Sequence, residues 1–179
     1  MIIAKKLDVF YKENGIPENG GEDLDFFELD FKFFSLKVPN TEFRKKVIHI
    51  HDIEHVLFEC DTSWKGESFI AGWEIATGIW RYFPISFLSL WTMGFAFFRY
   101  PKEILKGYKT GLKYHGIIDL GISKYDLLQL PIKTLAQKIQ REQPRTFNKV
   151  TFILWIVLSV SFVLFPFIIV LLSLWFVFV

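Results

Sequence analysis

The spacing of hydrophobic and polar positions predicts helices along most of this chain of 179 residues. In the stretch EDLDFFELDFKFFSLKVP, apolar residues recur at spacings of three and four, with polar and charged residues opposite, which predicts a helix that ends at Pro39. Its apolar face would carry Leu24, Phe27, Phe31 and Phe34. We expect no strands and no internal repeat.

Later segments show the same helical spacing, divided by prolines. A helix should run from a cap at Asn40 or Thr41 to about Cys60, and the sequence DTSW should open the next one. Further helices are expected after Pro84 and after Pro101. A last helix should begin near Ser123, adjust at Pro131 and turn three residues toward the core: Ile132, Leu135 and Ile139. The pattern predicts an all-α helical bundle with short loops.

The C-terminal segment has the composition of a membrane helix. From Val150 to Val179 there is no charged side chain, and about 18 such residues suffice to indicate a transmembrane helix. As one helix the segment would extend about 45 Å, against about 30 Å for a hydrocarbon core. It therefore fits a tilted single span with a kink at Pro166, which we favour, or a hairpin that turns there. We expect a helical metal-binding domain at residues 1–148 and a membrane segment at residues 149–179.

Composition and charge support membrane association. Hydrophobic residues make up 51% of the chain, with 21 phenylalanines and 6 tryptophans, well above a typical soluble domain. The net charge of +2 does not suggest a nucleic-acid partner. Cys60 is the sole cysteine, so no intrachain disulfide can form.

Basic residues before the apolar segment predict its orientation. The positive-inside rule keeps residues 1–149 in the cytoplasm, on the inner membrane of a bacterium, because five cations precede Val150. These are Lys133, Lys138, Arg141, Arg145 and Lys149. The N-terminal sequence MIIAKKLDVFYKENG has too short an apolar stretch for a signal peptide, so none is expected.

The stretch HDIEHVLFECDTSWKGE carries the candidate chemistry. On a helix His51 and His55 project from one face, one turn apart, and Asp52 lies about 100° round from His51. Glu67 falls in the first turns of the following helix and can close the site. Two imidazoles with one or two carboxylates favour zinc, with Fe²⁺ or Mn²⁺ as alternatives. The same residues would also suit a solvated helix face with an ordinary capping sequence.

Two other motifs overlap this stretch. His51, Glu54 and His55 spell H-x-x-E-H, which is typical of inverted zinc proteases, but such peptidases need a larger body and a distant glutamate. A phosphohydrolase of the HD type would need a ligand histidine well upstream, and His49 is the first histidine. We expect His49 to be a surface or core-edge residue and His115 to be structural.

The spacing H-D-x-x-H, eleven residues, then E resembles the zinc motif of the coenzyme Q biosynthesis protein 4 family. The preceding FRKKVIHIHDIEHVL, then Thr62 and Gly66 before Glu67, and the following AGWEIATG resemble the same family. The resemblance spans about residues 25–140. The apolar tail after Asn148 is not part of the family pattern.

The resemblance implies a membrane-associated protein of ubiquinone biosynthesis. Members are linked to removing the ring carboxyl of a prenylated hydroxybenzoate, with hydroxylation at the same carbon, and to organising other biosynthetic enzymes. His51, Asp52, His55 and Glu67 would then be the metal ligands, and no further catalytic residue is assigned. The sequence does not decide whether the protein forms a homo-oligomer.

The middle helices suggest how a prenylated lipid is reached. The segment from Phe83 to Phe98 is apolar apart from small hydroxyls and would line a lipid groove with Phe83, Phe87, Leu90, Trp91 and Phe95. Behind it, lysines at spacings of four, three and four predict either a solvated face or contact with the membrane surface: Lys102, Lys106, Lys109 and Lys113. Glu74 would either hydrogen-bond to a metal ligand and so orient it, or simply be exposed to solvent. An enzyme of prenylated-quinone metabolism, a metallohydrolase and a non-enzymatic lipid-binding scaffold all remain candidates.

Overall fold

The computed structural model describes residues 1–31, 34–83 and 85–178. Pro84, predicted to precede a helix, and Val179, the end of the predicted membrane segment, lie outside these ranges. The chain is 70% helical, and the described part contains eight α-helices, which confirms the predicted mainly all-α class. In chain order the helices are α1 (Ile3–Asn14), α2 (Glu42–Phe58), α3 (Trp64–Thr77), α4 (Ile85–Phe97), α5 (Pro101–Gly111), α6 (Lys124–Gln129), α7 (Ile132–Ile139) and α8 (Lys149–Phe178).

These elements form two compact units. The first contains residues 1–61 and 117–139, and the second contains residues 62–116 and 140–179. Helices α1, α2, α6 and α7 belong to the first unit, together with two strands and short 3-10 helices at Glu18–Gly21 and Ile117–Leu120. Helices α3, α4, α5 and α8 belong to the second, with a 3-10 helix at Ile79–Arg81. The predicted boundary between a metal-binding domain (residues 1–148) and a membrane segment (residues 149–179) concerns the membrane and stays a prediction. The two compact units divide the chain at other positions.

The strands β1 (Phe26–Phe31) and β2 (Phe34–Pro39) pair in an antiparallel hairpin. The predicted helix over this stretch, and the expectation of no strands, are therefore wrong. In the register Phe27 faces Val38, and Glu28 faces Lys37, so apolar residues meet apolar ones and opposite charges meet. Residues four apart share a face in a helix and also in a strand, so the apolar spacing alone did not separate the two.

The helix predictions in the rest of the first unit are confirmed. Of the two predicted caps for α2, Thr41 is the N-cap, because its Oγ1 accepts a hydrogen bond from the Arg44 amide at 3.3 Å. Ser123 caps α6, and α7 buries Leu135 and Ile139 completely, while Ile132, the third residue expected in the core, is only half-buried. α1, which the sequence reading did not assign, buries four residues on one face: Ile3, Leu7, Phe10 and Tyr11.

In the second unit α3 and α5 pack with their backbones in close approach. A Cβ atom at Gly111 would lie 2.6 Å from the Trp73 carbonyl oxygen, and one at Gly107 would overlap the Phe69 carbonyl. A Cβ atom at Gly72 would overlap the Ile104 carbonyl in the same way. Glycine is therefore required at these three positions of the contact.

Helix α8 packs on α4 along its first half. Ile156 and Ser159 are buried, and a Cβ atom at Gly94 of α4 would overlap the Ser159 carbonyl. The Trp80 and Trp155 rings lie 5.9 Å apart. From Leu164 to Trp175 every residue of α8 is exposed. The stretch from Leu164 to Trp175 therefore presents only apolar and hydroxyl side chains to its surroundings.

α8 is long and apolar enough to cross a membrane. Its stretch Lys149–Trp175 has 27 residues and a mean hydropathy of 2.8 in its most apolar window, of which 11% is buried. The helix continues through Pro166, so the hairpin turn considered there does not form. By length and composition, this helix associates the chain with a membrane.

Candidate metal centre

Two histidines of α2 face each other across one helical turn. The Nε2 atoms of His51 and His55 lie 3.2 Å apart, and the two rings meet edge to face with centroids 4.8 Å apart. His55 is 1% exposed, and His51 is half-buried. The spacing of four residues therefore converges two ring nitrogens on one point, as the sequence predicts.

The end of α2 fixes the His55 ring. Glu59 adopts a left-handed conformation with φ 52°, and the Cys60 amide donates to the His55 carbonyl at 3.0 Å. This turn brings the Cys60 carbonyl oxygen to 3.3 Å from Nδ1 of His55. A carbonyl only accepts, so Nδ1 is the donor in this contact, and Nε2 is the ring nitrogen that faces His51. The Phe10 ring stacks on His55 at 5.6 Å.

Asp52 is held in the interior of the first unit. It is 5% exposed, and the Tyr11 hydroxyl donates to its Oδ2 at 2.9 Å. Burial raises the pKa of Asp52, while His51 and the Tyr11 hydrogen bond lower it. Burial and the Asp52 carboxylate also raise the pKa of Tyr11, so its hydroxyl stays a donor.

The described residues include histidine and glutamate groups that could hold a metal ion. Helix α2 supplies His51, Glu54 and His55 to these groups, and Asp52 is not among them. Glu54 is 1% exposed. The assignment of Asp52 as a ligand therefore stays a prediction, and its observed partner is Tyr11.

The second unit contains the two glutamates assigned from the sequence. Glu67 is half-buried in the first turn of α3, where Ser63 caps the helix and accepts from the Gly66 amide at 3.4 Å. Glu74 is 5% exposed and accepts a hydrogen bond from the Ser89 hydroxyl of α4 at 2.6 Å. Glu74 is thus buried rather than solvent-facing. The role of Glu67 as a ligand stays a prediction.

The predicted groove residues lie in four different environments. Trp91 and Phe95 stack with centroids 5.5 Å apart, and Trp64 of α3 lies 4.7 Å from Phe95. Phe87 packs edge to face on Phe162 of α8 at 4.7 Å. Leu90 is half-buried, while Phe83 is 81% exposed and precedes α4. We call Trp64, Trp91 and Phe95 the aromatic cluster; Trp64 lies one turn before Glu67 on α3.

The other two histidines, His49 and His115, are not part of the pair. His49 is 7% exposed, and burial, with a smaller effect of Lys124, lowers its pKa to about 4. Its Nδ1 has no hydrogen-bond partner within the described ranges. His49 is therefore buried, and the surface placement considered for it is wrong. His115 is exposed after the end of α5.

Sequence reasoning missed the groups that orient the pair and Asp52. Phe10 and Tyr11 come from α1, whose apolar residues at positions 3, 7, 10 and 11 carry the helical spacing that could have revealed it. The Cys60 carbonyl belongs to the backbone and leaves no mark in the sequence.

No family model matches the chain, and no curated protein or solved structure matches it either. The resemblance to the coenzyme Q biosynthesis protein 4 family therefore rests on the residues themselves. Its strongest part is the spacing of His51, Asp52, His55 and Glu67.

Proposed function

We propose that this chain is a membrane-associated metal-binding protein of prenylated-quinone biosynthesis. The metal-binding part of the proposal rests on one observation, the 3.2 Å separation of the His51 and His55 Nε2 atoms. In a tetrahedral zinc centre, with Zn–N bonds of about 2.0–2.1 Å, two ring nitrogens lie about 3.3–3.4 Å apart. The pair is thus already spaced as one edge of such a centre.

The donor set fits the proposed metal. His51 and His55 would bind it through Nε2, and Asp52 and Glu67 would supply carboxylate oxygens, as the family spacing implies. Mixed nitrogen and oxygen ligands favour Zn²⁺, with Fe²⁺ or Mn²⁺ as alternatives. When bound, the metal would act as a Lewis acid on the ring carboxylate of the substrate or on a neighbouring oxygen.

Backbone and side-chain groups around the pair would prepare it for binding. The Cys60 carbonyl keeps the proton of His55 on Nδ1, and the Phe10 ring limits rotation of the imidazole. Tyr11 orients the Asp52 carboxylate by donating to it. These contacts reduce the reorganisation needed when the ligands bind the ion.

The substrate class follows from the apolar character of the second unit. A prenyl chain is nearly insoluble in water, and burying each methylene contributes about 0.8 kcal/mol. We assign the prenyl chain to the aromatic cluster, because Trp64 lies on the same helix as Glu67 and one turn before it. The head group to be modified would then be a hydroxybenzoate that retains its ring carboxyl.

We further propose a location and partners. α8 would anchor the chain in a bacterial inner membrane, with residues 1–149 on the cytoplasmic side. There the protein would meet its lipid substrate in the bilayer and other quinone-biosynthesis enzymes at its surface. The five basic residues from Lys133 to Lys149 support this orientation.

Two alternatives use the same residues differently. A metallohydrolase would need Glu54 as a general base, and Glu54 is one of the residues that could hold a metal together with His51. A lipid-binding scaffold would keep the metal for structure alone. The three functions differ in the effect of single substitutions on metal content and on lipids.

The test measures metal and prenylated lipids together. The protein with His51→Ala and His55→Ala, purified in detergent, should lose its bound divalent metal in elemental analysis. Cells that carry this variant as their only copy should accumulate a prenylated aromatic lipid that retains its carboxyl. Phe95→Asp should give the same lipid defect with normal metal content, because it changes only the aromatic cluster.

The control is His115→Ala, which removes an exposed histidine and should leave metal and lipids unchanged. Full metal content in the double variant would overturn the metal site. A normal lipid profile with metal lost would leave a structural metal and favour the scaffold. A lipid defect in Glu54→Gln with metal retained, and none in Phe95→Asp, would favour the hydrolase.

A further inference from the structure

Helix α5 presents a row of lysines to solvent. Lys102, Lys106, Lys109 and Lys113 are all exposed and line one shallow groove with Leu105 and Thr110. At about 100° per residue their spacings of four, three and four hold the side chains within a narrow sector of the helix. We call these four residues the lysine row.

The packing of α5 on α3 fixes the direction of the lysine row. The buried residues of α5 include Ile104, Gly107 and Gly111, which lie on the opposite side of the helix wheel. A Cβ atom at Gly111 would lie 2.6 Å from the Trp73 carbonyl, so α5 cannot rotate without separating from α3. The lysines therefore stay on the outer face.

The charges of the lysine row are not neutralised by neighbours. Within the described ranges none of the four lysines forms an ion pair with a carboxylate, and this includes Glu103 of the same helix. Lys106 lies over the Phe69 ring at 5.8 Å and Lys109 over the Phe147 ring at 5.0 Å. The row is therefore a concentrated positive surface whose lysines form no ion pair with the described carboxylates.

The row ends beside the start of α8. The Tyr108 and Phe152 ring centroids lie 5.0 Å apart, and the Arg145 amide donates to the Leu112 carbonyl at 2.9 Å. The Arg141 amide donates to the Lys113 carbonyl at 2.9 Å. Because α8 becomes apolar directly after Lys149, the C-terminal end of the row lies where that helix would enter the bilayer. Phosphates of lipid head groups lie at this level.

We propose that the lysine row binds anionic phospholipids through their head-group phosphates. The row then holds α5 against the surface of the leaflet in which α8 begins. This inference rests on the membrane part of the proposed function and not on the metal or the quinone. Four basic residues next to a membrane helix are within the range that recognises anionic head groups.

The test uses the full-length protein in neutral detergent. It is incubated with equal amounts of phosphatidylglycerol and phosphatidylcholine, purified again, and its bound lipids are quantified by mass spectrometry. Wild type should retain phosphatidylglycerol in excess. A variant with glutamine at all four row positions should show a ratio of bound phosphatidylglycerol to phosphatidylcholine about tenfold lower than wild type, because each lysine contributes to this preference. Its substitutions are Lys102→Gln, Lys106→Gln, Lys109→Gln and Lys113→Gln.

The matched control changes four exposed lysines of the first unit to glutamine: Lys5, Lys12, Lys46 and Lys133. It has the same net charge as the test variant and should keep the preference. A variant with arginine at all four row positions should also keep it. Loss of the preference in the first-unit control, or its retention in the glutamine row variant, would overturn the proposal.

Two further measurements separate related outcomes. Inorganic phosphate should displace the bound lipid no better than sodium chloride at equal ionic strength, and stronger displacement would indicate a site for free phosphate instead. Metal content should be equal in wild type and in both glutamine variants. A failure of the metal proposal would therefore leave this result unchanged. If the glutamine row variant does not fold, the pairs Lys102→Gln with Lys106→Gln and Lys109→Gln with Lys113→Gln are compared instead, and each should lose part of the preference.

Discussion

At the scale of single residues, Asp52 depends on a glycine that keeps space for its carboxylate. Gly20 has φ 67°, and a Cβ atom there would overlap Oδ2 of Asp52 and lie 3.4 Å from the Tyr11 hydroxyl. The same small residue thus supplies a left-handed backbone and room for a buried acid. Both demands arise from residues that are distant in sequence.

Gly20→Ala should destabilise the protein more than Gly15→Ala. Both glycines have φ near 65°, so each substitution strains the backbone by about 1–2 kcal/mol. Only at Gly20 does the added methyl group meet Asp52, whereas a Cβ atom at Gly15 has nothing within 4 Å. We expect Gly20→Ala to lower the melting temperature, followed by circular dichroism in detergent, by at least about 3 °C more than Gly15→Ala. Equal melting temperatures for the two variants would show that Asp52 moves aside without cost.

The sequence predicted the histidine pair but not its surroundings. A spacing of four residues on a helix is a local property, so His51 and His55 could be assigned from the pattern alone. Tyr11 is 41 residues from Asp52, and its contact depends on the packing of α1 against α2. Such contacts are set by the fold, which the periodicity of one segment does not contain.

At the scale of elements, the hairpin shows where the pattern was ambiguous. Phe27 and Phe31 are four apart and fit a helical face, but Phe27, Leu29 and Phe31 also alternate with Glu28 and Asp30. The second half, from Phe34 to Val38, alternates in the same way. Strict alternation over both halves favours two strands over a single helix.

Asn40 fastens this hairpin to the segment before it. Its side-chain amide donates to the carbonyls of Gly21 at 3.0 Å and Leu24 at 2.8 Å, and its Oδ1 accepts from Arg44 at 3.0 Å. Asn40 is 6% exposed, so water replaces these partners poorly. We expect Asn40→Ala to cost about 2–3 kcal/mol of stability and to speed amide hydrogen exchange over residues 34–39.

Thr41→Ala is the comparison for Asn40→Ala. It removes one capping bond of α2 and should cost about 1 kcal/mol without changing exchange in the hairpin. Equal exchange rates in the two variants would mean that backbone pairing alone holds the hairpin in place.

At the scale of the whole molecule, the hydrophobic periodicity predicted the helical class, and the long uncharged apolar segment predicted the C-terminal helix. Both predictions rest on patterns that extend over many residues, and such patterns predict structure more reliably than single residues do. The division into two units was not predictable in this way. Each unit joins two distant stretches, and α8 packs on α4 through Gly94 and Ser159, a contact that neither segment shows by itself.

The membrane orientation is a property of the whole chain and gives the last prediction. Arg141 and Arg145 precede α8 and Lys149 is its first residue, and moving each positive charge across an energised membrane costs about 2.3 kcal/mol per 100 mV. In a Cys60→Ser background, we expect Glu18→Cys and Tyr125→Cys, both at exposed positions, to resist a membrane-impermeant maleimide in intact bacterial cells. Both should react after the inner membrane is permeabilised, which controls for burial of the thiol. Labelling of either cysteine in intact cells would place the first unit, and with it the histidine pair, outside the cytoplasm and would contradict this prediction.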